Sequence, residues 1–79
     1  MKIEIYTKSN CPNCVTAKQL LNSVYPEYDE YDVEAEEWAL KALLEGHPSA
    51  RQMPQIFIDG QRVGGLAGLQ AALRQLGLL

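Results

Sequence analysis

Apolar positions along the chain fall into short blocks that use two different periods. Ile3 and Ile5 alternate with Glu4 and Tyr6, a period of two that predicts a strand over residues 2–6 with one buried face. After the polar loop Lys8-Ser9-Asn10, the residues Cys14, Ala17, Leu20, Leu21 and Val24 recur at the i, i+3, i+4 spacing of a helix running from Cys11 to about residue 24. Pro12 suits the first turn of that helix, where its missing N–H removes a donor that has no partner anyway. Pro26 closes the block, and Tyr28 to Val33 reads as a second strand whose alternation is interrupted by acids. From Glu34 to Glu45 the pattern is helical again, with acids in the first turn and Trp38, Leu40, Leu43 and Leu44 forming an apolar side. Gly46 is expected to stop this helix as a C′ glycine.

Residues 47–52 read as a loop in which His47 is a solvated side chain. In Met53-Pro54-Gln55-Ile56-Phe57-Ile58 the three consecutive β-formers suit a central strand covered on both faces. Asp59-Gly60 then predicts a two-residue hairpin into Gln61-Arg62-Val63. Gly64-Gly65 breaks that strand, and Leu66, Leu69, Ala72, Leu73 and Leu76 mark a last amphipathic helix before Gly77. The order β-α-β-α-β-β-α describes an α/β fold: a four-stranded mixed sheet, its first two strands joined by a helical crossover, with helices on both faces.

Composition adjusts this picture only slightly. A length of 79 residues with 47% apolar and 22% charged residues suits a single folded domain over residues 1–79. Net charge is −3, yet seven of the ten acids lie between Glu27 and Glu37, so the rest of the chain is basic on balance. No stripe of Lys and Arg interleaved with aromatics is present, which argues against nucleic-acid binding. The N-terminus carries acid at Glu4 and no apolar run, which leads to the expectation of a cytoplasmic protein with no membrane partner.

That expectation governs how Cys11-Pro12-Asn13-Cys14 reads, because structural disulfides are rare in a reducing compartment. Two cysteines and one distant histidine cannot complete a four-ligand zinc site in a monomer, so no metal and no bound cofactor are expected. A Cys-x-x-Cys between the first strand and the following helix is instead the placement of a thiol redox motif. The helix N-terminus and Lys8 would lower the pKa of Cys11, whose thiolate attacks a disulfide. Cys14, one turn on and in phase with the buried Ala17-Leu21 face, is the expected resolving cysteine.

Taken together, Ile5-Tyr6-Thr7-Lys8 leading into Cys11-Pro12-x-Cys14, then Met53-Pro54-Gln55-Ile56-Phe57-Ile58-Asp59-Gly60, then Gly64-Gly65, resembles the dithiol glutaredoxins, short members of the thioredoxin-like superfamily. The resemblance spans nearly the whole chain. It implies a glutathione-dependent disulfide oxidoreductase, an electron carrier with glutathione as co-substrate, acting on protein disulfides, those of ribonucleotide reductase among them. It also implies that Pro54 is a cis-proline presenting the Met53 backbone to a bound peptide, and that Lys8 and Arg51 meet one glutathione carboxylate. The N–H groups of Leu66 and Ala67, after Gly65, would meet the other carboxylate. On this reading a basic rim surrounds Cys11 and faces away from the acidic 27–37 segment.

Three positions depart from the family pattern: Asn13 replaces an aromatic residue, Ala67 replaces an acid that contacts the glutathione ammonium, and Met53 replaces a β-branched residue. Loss of one charge-assisted hydrogen bond at Ala67 would cost about 1.5–3 kcal/mol of glutathione binding. The alternatives are therefore a glutaredoxin-like thioredoxin reduced by a flavoprotein reductase, and a dimeric iron–sulfur cluster carrier. Pro12 argues against the second, since cluster-binding relatives carry a smaller residue there.

Overall fold

The N-terminal alternation forms β1 (Ile3–Thr7) in the computed structural model, which describes all 79 residues. Ile3, Ile5 and Thr7 are buried on one face while Glu4 and Tyr6 lie half-buried on the other. The remaining elements are α1 (Pro12–Val24), β2 (Tyr28–Asp32), α2 (Glu37–Gly46), β3 (Gln55–Ile58), β4 (Gln61–Gly64) and α3 (Leu66–Gln75). Their order is the one that the sequence periodicities predict.

The sheet runs β2-β1-β3-β4. β1 pairs parallel with β2, Ile3 opposite Tyr28, as a helical crossover through α1 requires, and antiparallel with β3, Ile5 opposite Ile56. The two-residue connection from β3 to β4 has positive φ at both Asp59 (50°) and Gly60 (82°), the geometry that matches strand twist in a tight hairpin. One face of the sheet is covered by α1 and α3, whose Ala17, Leu21, Leu69 and Leu73 close over Ile3, Ile5 and Ile56. On the other face α2 contributes Leu43, which packs with Ala50 and Phe57 against Tyr6 and Met53. Each of the fully buried leucine and isoleucine side chains contributes roughly 1.5–3 kcal/mol by leaving water. Buried polar groups are paired: Thr7 Oγ1 donates to Glu30 (2.8 Å), and Gln55 donates to the Gln52 carbonyl while accepting from Arg62.

Several local expectations are corrected. The second helix begins at Glu37 rather than Glu34, because the Asp32 carboxylate takes the N–H groups of Glu34 (2.8 Å) and Ala35 (3.1 Å) and folds that stretch into a turn first. Its buried stripe is Ala39 and Leu43, leaving Trp38 53% and Leu40 37% exposed. Gly46 belongs to the helix, and His47 N–H closes it on the Leu43 carbonyl (2.8 Å). The third strand starts two residues late because Met53-Pro54 is a bend with a cis peptide bond. His47 is half-buried and packs its ring 5.1 Å from that of Phe57, where the sequence suggested a solvated side chain. At the end of α3, Leu76 lies half exposed, and Gly77 (φ 76°) provides the left-handed stop with Leu78 N–H bonded to the Leu73 carbonyl. No helix is long and apolar enough to cross a membrane.

Candidate functional site

β1 delivers the chain to the site, and the loop after it turns sharply at Asn10, whose φ of 54° is left-handed. Asparagine tolerates that region better than most residues. Ser9 anchors the loop: both its N–H (2.8 Å) and its hydroxyl donate to one carboxylate oxygen of Glu34. These bonds hold the Glu34 carboxyl below the usual carboxylate range, chiefly through the Ser9 hydroxyl and backbone N–H.

Cys11 is the N-cap of α1, and its sulfur accepts the N–H of Cys14 at 3.2 Å, the role a serine hydroxyl usually fills. Pro12 follows as the first helical residue, and no acid lies in the first turn to oppose negative charge at the sulfur. Cys11 and Cys14 are joined in a disulfide, with Cα atoms 5.2 Å apart. Cys11 remains 9% exposed at the surface end of the pair, whereas Cys14 is 2% exposed and faces the core with Ala17.

The Cys11 sulfur lies 3.5 Å from the Met53 carbonyl oxygen, so the bend before β3 touches the redox pair directly. Gly65 at the start of α3 neighbours that bend: a Cβ there would sit 3.6 Å from the Pro54 carbonyl oxygen, an ordinary contact. Two clefts flank the sulfur side of the bend. One, of about 280 Å³, opens over Cys11 and is lined by Lys8, Asn10, Pro12, Asn13 and Met53. The other, of about 270 Å³, shares Lys8 and Met53 and continues to Val33, Glu34, Leu40, Leu44 and Arg51.

Of the residues singled out from sequence, Lys8, Cys11 and Met53 meet in the first cleft, and Lys8, Arg51 and Met53 meet in the second. Pro54 is buried beneath, in the cis form that the resemblance implies. Gly65, Leu66 and Ala67 line neither cleft and lie at the N-terminus of α3, Gly65 beside the Pro54 carbonyl. One expectation is overturned: the basic rim does not face away from the acidic segment. Glu34 comes from that segment and sits in the same cavity as Lys8 and Arg51. Parallel pairing of β1 with β2 is the cause, since it brings both strand ends, and the loops beyond them, to the same edge. Ser9, Asn10, Val33, Glu34, Leu40 and Leu44 are therefore site residues that sequence reasoning missed. An asparagine directly before the first cysteine was the only local signal, because the Ser9–Glu34 contact joins positions 25 apart.

Comparison with known proteins agrees with this geometry. A protein-family model described as Glutaredoxin matches residues 3–63. The chain is 41% identical to a probable glutaredoxin of Synechocystis, covering 89% of this chain and 80% of that one. It is 36% identical to glutaredoxin 3 of Escherichia coli K12, covering 87% and 82% respectively. Among solved structures, a thioredoxin-like protein superposes with a TM-score of 0.76 at 34% identity, covering 98% of this chain and 99% of that one.

Proposed function

Since the chain belongs to the glutaredoxin family and is a thiol–disulfide oxidoreductase of thioredoxin-like fold, we propose that glutathione is its electron donor and that protein disulfides are its targets. The observation that carries the reading is the position of Cys11: its sulfur caps a helix N-terminus at the floor of an open cleft walled by Lys8. A thiolate at that point gains from the Cys14 N–H, from the helix dipole and from the lysine. Cys14, buried below it, has no comparable access to an incoming disulfide.

The reaction follows in two exchanges. The Cys11 thiolate attacks one sulfur of a substrate disulfide, forming a mixed disulfide and releasing the other sulfur as a thiolate, which takes up a proton. Cys14 then loses its proton and attacks the Cys11 sulfur, restoring the intramolecular disulfide and expelling the second product thiolate. Two electrons have passed from the protein to the substrate, with one proton released by Cys14 and one taken from solvent. Two glutathione molecules return them by the same chemistry in reverse, leaving glutathione disulfide. Ribonucleotide reductase is among the candidate protein targets, and a cytoplasmic, monomeric carrier is the simplest setting for such traffic.

Lys8 and Arg51 supply cations for one glutathione carboxylate, and the first-turn N–H groups of Leu66 and Ala67 supply donors for the other. Two features favour a second donor, a flavoprotein reductase. Ala67 offers no acid to the glutathione ammonium, and the Glu34 carboxylate shares the cavity of the two cations. A coupled assay decides between them. Turnover with glutathione, glutathione reductase and NADPH is expected; turnover with thioredoxin reductase and none with glutathione would reverse the assignment.

A further inference from the structure

The cavity beside the redox cleft has an apolar part that the glutathione reading does not use. Val33, Leu40, Leu44 and Met53 are the apolar part of its lining, and Lys8, Arg51 and Glu34 complete it. Leu40 and Leu44 are four apart on α2, so they stand on one line of that helix, one position round from Ala39 and Leu43, which already bury its core-facing stripe. Packing of the domain therefore does not require them, and Leu40 stays 37% exposed. At about 270 Å³ the cavity falls just below the range of pockets that enclose a drug-sized ligand, which makes it the size of a side-chain subsite. It is continuous with the cleft over Cys11 through Lys8 and Met53. The glycine of glutathione has no side chain to fill it.

We propose that this cavity is a specificity subsite for a polypeptide disulfide, taking a large apolar side chain next to the substrate's reacting cysteine. A chain lying over Met53 with its cysteine at Cys11 has a neighbouring residue at the mouth of the cavity. Lys8 and Arg51 outnumber Glu34 in the lining, which leaves a net preference for a nearby acidic group on the same substrate. The subsite acts on the first exchange only, raising the rate at which the Cys11 thiolate captures the substrate sulfur. The reduced dithiol supplies both electrons, so the inference rests on the thiol–disulfide activity and holds whichever donor reduces the protein.

The test uses protein prereduced with dithiothreitol, freed of reductant, and mixed under single-turnover conditions with two short peptide disulfides. Their reacting cysteines are flanked by leucine in one and by alanine in the other. Partial burial of a leucine side chain predicts about a tenfold faster reduction of the leucine peptide. In Leu40→Ser/Leu44→Ser the ratio should fall to about two or less, and reading a ratio within each protein cancels any general loss of activity. Should the double variant fail to fold, Leu40→Ser alone serves, since that side chain is largely outside the core. Equal rates for the two peptides with the unaltered protein, or a preference that survives the substitutions, would overturn the proposal.

Discussion

Gly68→Ala is the substitution on which the account of how α3 is held makes its sharpest demand. A Cβ at Gly68 would lie 1.8 Å from the Val63 carbonyl oxygen and 2.9 Å from its carbon, where ordinary contact begins near 3.4 Å. Both atoms are backbone of β4, so no rotamer relieves the clash, and α3 must retreat by about 1.6 Å from the strand. That retreat pulls Leu69 and Leu73 out of the main core cluster. Overpacking typically costs about 1–3 kcal/mol, and a rigid backbone partner puts this case at about 3 kcal/mol or more. For a domain of this size the melting temperature should fall by roughly 12–24 °C. Thermal and urea unfolding followed by circular dichroism would measure it. Gly46→Ala is the matched control: it lies in a helix, meets nothing within 4 Å, and should stabilise by about 0.4–1 kcal/mol. A Gly68→Ala protein within about 1 kcal/mol of the parent would refute the close α3–β4 approach.

Two further outcomes follow from the charges at the site. Lys8→Ala should raise the KM for glutathione about fivefold, with the gap narrowing in added salt and the melting temperature little changed, because Lys8 is exposed and makes no ion pair; an unchanged KM would remove Lys8 from the binding surface. Glu34 has its folded-state pKa lowered by Ser9, so its contribution to stability is present above the unfolded pKa near 4.3 and is lost as pH falls through the lower folded value. An NMR titration should show the Glu34 midpoint rising in Ser9→Ala, which keeps the backbone N–H bond but loses the hydroxyl; identical midpoints in the two proteins would contradict the clamp.

Much of the site was legible because its chemistry is local. Cys11, Pro12 and Cys14 share one helical turn, and strand-then-helix periodicity on either side places that turn at a helix N-terminus. The hairpin was equally plain, since Asp59-Gly60 tolerates the positive φ that a two-residue turn needs. Sequence reasoning failed where one residue type has two uses. Asp32 turned a helical pattern into a turn by capturing two N–H groups, and the apolar Trp38 and Leu40 proved exposed. Trp38 stacks edge-on against Tyr31 at 5.3 Å instead of entering the core. The second cavity was invisible for a different reason: it gathers residues from the loop after β1, from the segment after β2, from α2 and from the loop before Pro54. No periodicity records that meeting. The sequence likewise carries no sign of why residue 68 is glycine, since the Val63 carbonyl that would meet its side chain belongs to the preceding strand.

The central claim is that Cys11 is the attacking sulfur, that Cys14 resolves, and that glutathione is the partner in exchange. Intact-mass spectrometry of the single-cysteine variants tests all three most directly, after incubation of each with glutathione disulfide at neutral pH. Cys14→Ser is expected to accumulate one glutathione per chain, held on Cys11, while Cys11→Ser remains unmodified because its buried Cys14 is out of reach. An adduct on Cys14 in Cys11→Ser, with none on Cys11 in Cys14→Ser, would contradict the account.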